Sequence, residues 1–157
     1  MMNEIAKGIL LKKLKAQFTV PGHCGMVTPE LDFEETAKLI ETPRGSEHCA
    51  KCNLPTLDLL TALKSEAPDN WHIEAPEVEL TNPDTVILAG SYTDAKITVD
   101  GTNGAHIIML HGAGAKVIAK DRAVVVIDRA ADTKLEIVKK ESEAFINDNH
   151  YEQKRKC

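Results

Sequence analysis

Three copies of one short pattern decide the fold of the second half of this chain: Ala95-Lys96-Ile97-Thr98-Val99, Ala115-Lys116-Val117-Ile118-Ala119 and Thr133-Lys134-Leu135-Glu136-Ile137. Each copy reads small residue, Lys, apolar residue, any residue, apolar residue. The copies start at positions 95, 115 and 133, and apolar runs lie between them. A strand-like unit therefore returns about every ten residues from 85 to 138, which is typical of stacked β-structure.

This period predicts an α+β protein in which a helical N-terminal part precedes a short β-solenoid-like stack. Two ten-residue units form each turn, so the repeat gives about three turns. In perfect stacking, Ala95, Ala115 and Thr133 share one layer of the stack. The layer formed by Ile97, Val117 and Leu135 lies beside it. We expect the helical part to cover one of the two open ends, because an open end exposes strand edges.

An antiparallel β-sandwich is the alternative fold. Asp100-Gly101 and Asn103-Gly104 are strong turn signals, and such dipeptides suit tight hairpins. The repeat favours the solenoid, but because of these turn residues the sandwich stays an alternative.

Changes of period along the chain predict four regions. Residues 1–66 form a helical N-terminal region, 67–77 a proline-containing linker, 78–140 the repetitive β domain and 141–157 a polar tail. Within the first region we expect four helices. They span 3–17, 32–41 with a capping box from Asp32 to Glu35, a short turn from Ser46 to Cys52, and 56–64.

The second position of the repeat suggests a binding site. Perfect stacking aligns Lys96, Lys116 and Lys134 in one column about 4.8 Å apart, where like charges repel unless solvent or an anion screens them. Such a row could bind a repeating anionic polymer. The alternative is that these lysines only keep an outward face soluble.

The cysteines suggest a second site. Cys49 and Cys52 have the spacing of a zinc-binding pair, and Cys24 with His48 or His23 would complete four ligands. Against zinc, there is no second close pair, and a Cys at i and i+3 on a helix is often an ordinary buried thiol. The leading expectation is therefore no cofactor, with Zn²⁺ as the alternative.

Composition argues against several functional classes. The net charge is −5 and aromatic residues make up 4%, which speaks against a nucleic-acid-binding surface. No apolar run is long enough to span a membrane, and four cysteines predict a cytoplasmic protein with reduced thiols. The sequence contains no phosphate-binding glycine loop, nucleophile elbow or metalloprotease motif, so we expect no enzymatic activity.

The segments 42–49 and 53–57, together with 86–97 and 110–117, resemble an uncharacterised family of proteins from gut Bacteroidetes. The resemblance covers roughly residues 40 to 140. It implies a helical leader followed by a repetitive β region, in prophage or mobile-element surroundings. It implies no activity, and it implies that the position of Cys49 is usually Cys whereas that of Cys52 is usually not.

Together these features predict a non-catalytic binding or assembly protein. We expect its partner to be a protein, which can be a second copy of the chain; a polyanion is a further candidate. We expect the protein to be cytoplasmic, or part of the virion if a phage encodes it. Two other classes stay open: a small zinc-binding regulator that uses the helical half, and a cysteine-dependent enzyme with Cys24 beside His23.

Overall fold

The computed structural model describes residues 2–18 and 30–153. Its first part is helical, as the sequence predicts. The four helices are α1 (Glu4–Ala16), α2 (Phe33–Ile40), α3 (Pro43–Cys52) and α4 (Leu57–Leu63). Among the described helices, none has the length and apolar character needed to cross a bilayer.

The caps explain where two of these helices begin. The Asp32 side chain accepts a hydrogen bond from the Glu35 amide, and the Glu35 side chain accepts one from the Asp32 amide, which confirms the predicted capping box. The prediction for α3 is wrong by one turn. Thr42 caps this helix and Pro43 is its first residue, the position that best tolerates proline, so Ser46 lies inside the helix.

The second part is a parallel β-solenoid of about four turns, so the solenoid prediction is confirmed. Its strands are β1 (Trp71–Ile73), β2 (Val78–Thr81), β3 (Thr85–Ala89), β4 (Asp94–Val99), β5 (Gly104–Leu110), β6 (Gly114–Ala119), β7 (Val124–Arg129), β8 (Lys134–Lys140) and β9 (Phe145–His150). They alternate between a five-stranded sheet, in the order β1-β3-β5-β7-β9, and a four-stranded sheet, in the order β2-β4-β6-β8.

The sandwich alternative is wrong, because every strand pair of the described residues is parallel. The predicted turn residues are present, but they connect strands of opposite sheets instead of forming hairpins. Gly101 has a φ of +62°, and the Asn103 side chain donates to the Asp100 carbonyl. A glycine turn can therefore serve a solenoid corner as well as a hairpin.

The solenoid extends further than the repeat suggests. β1 lies within the stretch predicted as a linker, and β9 lies within the stretch predicted as a polar tail. The chain therefore begins and ends its β-structure in the same sheet, which leaves five strands on one side and four on the other.

Apolar side chains fill the space between the two sheets. Alternate residues such as Leu88, Ile97, Ile107 and Val117 are fully buried there. The five-stranded sheet also buries the outer face of its first three strands, β1, β3 and β5. Its outward residues, which include Ile87 and Ile108, pack against all four helices.

The helical part thus covers the outer face of the five-stranded sheet, and the expectation that it covers an end of the stack is wrong. The reason is visible in the sequence of β3 and β5, whose runs Val86–Ala89 and Ile107–Leu110 are apolar at consecutive positions. A strand that is apolar on both faces must be covered on both. The runs Ala95–Val99 and Ala115–Ala119 of the other sheet keep Lys96 and Lys116 on the outer face, and that face stays exposed to solvent.

Candidate functional site

The outer face of the four-stranded sheet carries a column of charges. Lys96 of β4 lies opposite Lys116 of β6, as predicted, but Glu79 of β2 lies opposite Lys96 and Glu136 of β8 lies opposite Lys116. We call the series Glu79, Lys96, Lys116 and Glu136 the charge ladder.

Lys134 does not belong to this column, so the prediction of three aligned lysines is wrong in its third member. The structural repeat stays at 20 residues, from 96 to 116 to 136, and Lys134 therefore lies opposite Gly114. For the same reason Ala115 lies opposite Leu135, so the predicted layers hold for Ala95 with Ala115 and for Ile97 with Val117 but not for the third copy. Thr133 lies in the preceding turn, where its hydroxyl donates to the Ala130 carbonyl.

The charge ladder has two positive and two negative side chains, with each lysine next to one glutamate. Opposite charges on neighbouring strands attract, which offsets the repulsion between Lys96 and Lys116. Binding of a polyanion stays a prediction, and its geometric basis is now two adjacent lysines flanked by carboxylates.

The last turn of the solenoid exposes apolar side chains. Val124 is 43% exposed, Ile137 40%, Val138 52% and Phe145 57%. We call these four residues the terminal patch. They form more than half of the seven large hydrophobic side chains that are exposed in the described residues; the other three are Ile5, Ile9 and Tyr92.

Position in the sheets explains why the terminal patch is exposed. In the described residues, β8 and β9 are the last strands of their sheets, so no further turn covers them. Val124 and Phe145 are opposite each other in register and lie on the outer face of the five-stranded sheet. Ile137 and Val138 lie on β8, where the pairing with β6 shifts register between Val117 and Ile118, so that Val138 is the extra residue of a bulge.

The same two strands have backbone groups that face away from the solenoid. The amides of Phe145 and Tyr151 donate to the carbonyls of Ala123 and Arg129, and the amide of Lys134 donates to the carbonyl of Ala113. Hydrogen-bonding direction alternates along a strand. The amides of β9 that face outward are therefore those at 146, 148 and 150, and those of β8 before its bulge are at 135 and 137. This end thus combines apolar side chains with strand edges that pair with no other strand of residues 2–18 and 30–153.

A polar cluster joins the helical part to the five-stranded sheet. One oxygen of Asp128, on β7, lies 2.9 Å from Ser46 Oγ of α3 and 2.7 Å from His106 Nε2 of β5. The other oxygen accepts a hydrogen bond from Asn149 Nδ2 at 3.0 Å and is 3.4 Å from the Tyr151 hydroxyl. Asp128 is 5% exposed and Ser46 is fully buried.

The surroundings of Asp128 determine its charge state. Burial by itself raises the pKa of this carboxyl, but the hydrogen bonds from His106, Ser46 and Asn149 outweigh burial and hold the pKa below its usual value. The carboxylate in turn contributes, after burial, to raising the pKa of Tyr151 to about 12. Ser46 and His106 both bind Asp128, and Ser46 Oγ also lies 3.0 Å from the Pro43 carbonyl oxygen, so the cluster holds α3 on the sheet.

The structure brings two of the predicted metal ligands close together. His48 and Cys52 lie one turn apart on α3, with His48 Nδ1 3.8 Å from Cys52 Sγ. His48 Nε2 is 2.9 Å from the Gln17 carbonyl. Cys49 is fully buried, and burial strongly raises the pKa of its thiol, which disfavours the thiolate that a metal needs.

Cys52 is half of a disulfide, which differs from the expectation of reduced thiols; the other half lies outside the described residues. Cys24 and His23 also lie outside them. Within 2–18 and 30–153, no three His, Cys, Asp or Glu side chains converge as a metal site requires. Zinc binding stays a prediction that requires Cys52 in its reduced form and that includes Cys24, which lies outside those ranges.

Sequence reasoning missed the terminal patch and Asp128. The repeat itself could have revealed β9, because Ala144-Phe145-Ile146 follows Ala123-Val124-Val125 at a spacing of 21 residues. No comparable signal marks Asp128, since its partners come from separate segments of the chain.

Comparison with known proteins adds no function. No family model, no curated protein and no solved structure matches this chain.

Proposed function

We propose that this protein is a non-catalytic binding and assembly protein whose contact surface is the C-terminal end of its solenoid. The observation that carries the proposal is the terminal patch. Four large apolar side chains, each at least 40% exposed, lie beside strands whose edges are unpaired in the described residues. Apolar surface beside free strand edges is the combination that proteins cover by association.

The rest of the molecule suits such a role. The solenoid is a stiff platform, because each turn is hydrogen-bonded along its length to the next and the interior is filled with apolar side chains. The Asp128 cluster holds the helical part on one face of this platform. The resemblance given above adds a second part to the proposal, namely that the assembly belongs to a phage or mobile element; the gene neighbourhood tests that part.

The test uses the full-length tagged protein in its own host cells, with mild chemical cross-linking before extraction. We expect complexes larger than the monomer, and we expect Phe145→Lys combined with Val138→Lys to abolish them, because a buried unpaired ammonium is costly. Tyr92→Lys is the matched control, since Tyr92 is 72% exposed on a turn away from this end. Complexes that persist in the double variant would refute the proposal.

A further inference from the structure

We infer that the partner of the C-terminal end is a second copy of the chain, joined about a two-fold axis parallel to the strands so that β9 of each copy pairs with β8 of the other. This inference rests on the proposed function and names the partner of that surface.

The two sheets have different numbers of strands, five and four, so one strand edge protrudes at the C-terminal end. Because the described strands begin and end in the five-stranded sheet, β9 extends half a turn beyond β8. A two-fold axis parallel to the strands exchanges the two sheets between copies. The protruding β9 of one copy then fills the space beside the recessed β8 of its partner, and both edges at this end are paired at once. Strands of the two sheets run in opposite directions around the solenoid, so each new pair is antiparallel.

Head-to-tail stacking of two copies does not pair the edges of both sheets at once. If β9 of one copy paired with β1 of the next, both protruding ends would belong to the five-stranded sheet. A slot one strand wide would then stay open in the four-stranded sheet, between β8 and β2 of the next copy. The two-fold arrangement is closed and leaves no such slot, and closed symmetry is the usual outcome for identical chains.

The directions of side chains and amides fix the register between β9 of one copy and β8 of the other. Ile146 and Ile137 both face the interior of the solenoid, and the amides of both face outward, so they can lie opposite each other in a hydrogen-bonded antiparallel pair. This register also places Phe145 opposite the partner's Val138, which joins the exposed apolar side chains of the two copies.

Charges agree with the same register. Asn147 lies opposite the partner's Glu136, and Asn149 lies opposite the partner's Lys134, so the outward positions bring no like charges together. Asp148 faces the interior, and its carboxylate is already bound by Arg129 through two hydrogen bonds of 2.8 and 2.9 Å. The pairing therefore leaves none of these charges in conflict.

The other end of the solenoid is a weaker candidate for self-association. β1 has only three residues, and its apolar side chains Trp71 and Ile73 are already buried against the helices. None of the exposed large hydrophobic side chains of the described residues lies on β1 or β2.

Sedimentation equilibrium of the purified full-length chain tests the inference. We expect a monomer–dimer equilibrium that Phe145→Lys and Val138→Glu each weaken about tenfold or more, while Tyr92→Lys leaves it unchanged. Circular dichroism of each variant checks that it is folded.

Mixing the two variants tests the register. In a mixed dimer, one contact pairs the lysine introduced at position 145 with the glutamate introduced at position 138, which are opposite charges, and the other contact is native. We therefore expect the mixture of Phe145→Lys and Val138→Glu to form dimer at concentrations at which each variant alone is largely monomeric.

A chain that stays monomeric at all concentrations, or a mixture that recovers no dimer, overturns the inference. The proposed function is judged separately by cross-linking in host cells. If the purified chain is a monomer but the host complexes still depend on Phe145 and Val138, the partner is another protein and only the inference fails.

Discussion

At the scale of single residues, Asp128 connects the two parts of the molecule. It lies on β7 of the solenoid, and its carboxylate binds Ser46 of α3, His106 of β5 and Asn149 of β9. A buried carboxylate with several donors stabilises the fold most while it is ionised, because protonation removes its charge and reduces its capacity to accept hydrogen bonds.

Replacing Asp128 by Ala should therefore destabilise the fold by about 3 kcal/mol, because it leaves several buried donors without an acceptor. Urea unfolding followed by circular dichroism measures the loss. Glu143→Ala is the matched control, since Glu143 forms an exposed ion pair with Arg122 and should cost about 0.5 kcal/mol or less. Equal losses in the two variants would contradict the role given to Asp128.

The same residue predicts a dependence of stability on pH. Its pKa is lower in the folded than in the unfolded protein, so its contribution is complete above the ordinary carboxyl pKa of about 4 and is lost as the pH falls through the lower native value. We expect the free energy of unfolding to fall more steeply with acid in the natural protein than in Asp128→Asn. Parallel pH profiles for the two would refute this.

At the scale of elements, the join between α2 and α3 depends on one glycine. A Cβ at Gly45 would overlap the backbone carbonyls of Leu39 and Ile40 at the end of α2, and backbone cannot move aside as a side chain can. Only Glu41 and Thr42 separate the end of α2 from the start of α3, so the two helices approach closely at this point.

We expect Gly45→Ala to destabilise the protein by about 3 kcal/mol or more through this overlap. Gly8→Ala on α1 is the control, because a Cβ there meets no atom within 4 Å; it should stabilise the protein by about 0.5–1 kcal/mol through helix propensity. Thermal unfolding of both variants measures the difference. A Gly45→Ala variant as stable as the natural protein would contradict the close approach of α2 and α3.

Elements are also where the sequence was most informative. Period two and period 3.6 located most strands and helices, and the Asp32 capping box followed from its motif. The side on which the helices pack was not predicted, although the consecutive apolar residues of β3 and β5 mark the sheet that is apolar on both faces. The third lysine was misplaced because a motif match at 18 residues competed with a structural repeat of 20, and backbone register decided the outcome.

At the scale of the whole molecule, the helices and the solenoid divide two tasks. The helices cover the outer face of the five-stranded sheet, and the four-stranded sheet presents the charge ladder to solvent. The helices do not cover β9, and no further strand of the described residues covers β8 or β9. The terminal patch therefore stays exposed. The sequence predicted that the protein associates with a partner, but it did not indicate the contact surface. That surface was identified from the structure, because five strands in one sheet and four in the other leave β9 protruding beyond β8.

The most direct test of the account is hydrogen–deuterium exchange of the full-length protein at high and low concentration. The amides of Ile137, Ile146 and Asp148 face away from the solenoid, so they should be protected at high concentration and exchange rapidly on dilution or in Phe145→Lys. The amides of β5 should stay protected throughout. Rapid exchange of the outward amides of β8 and β9 at every concentration, unchanged by the substitution, would contradict the inference that a second copy of the chain covers this end.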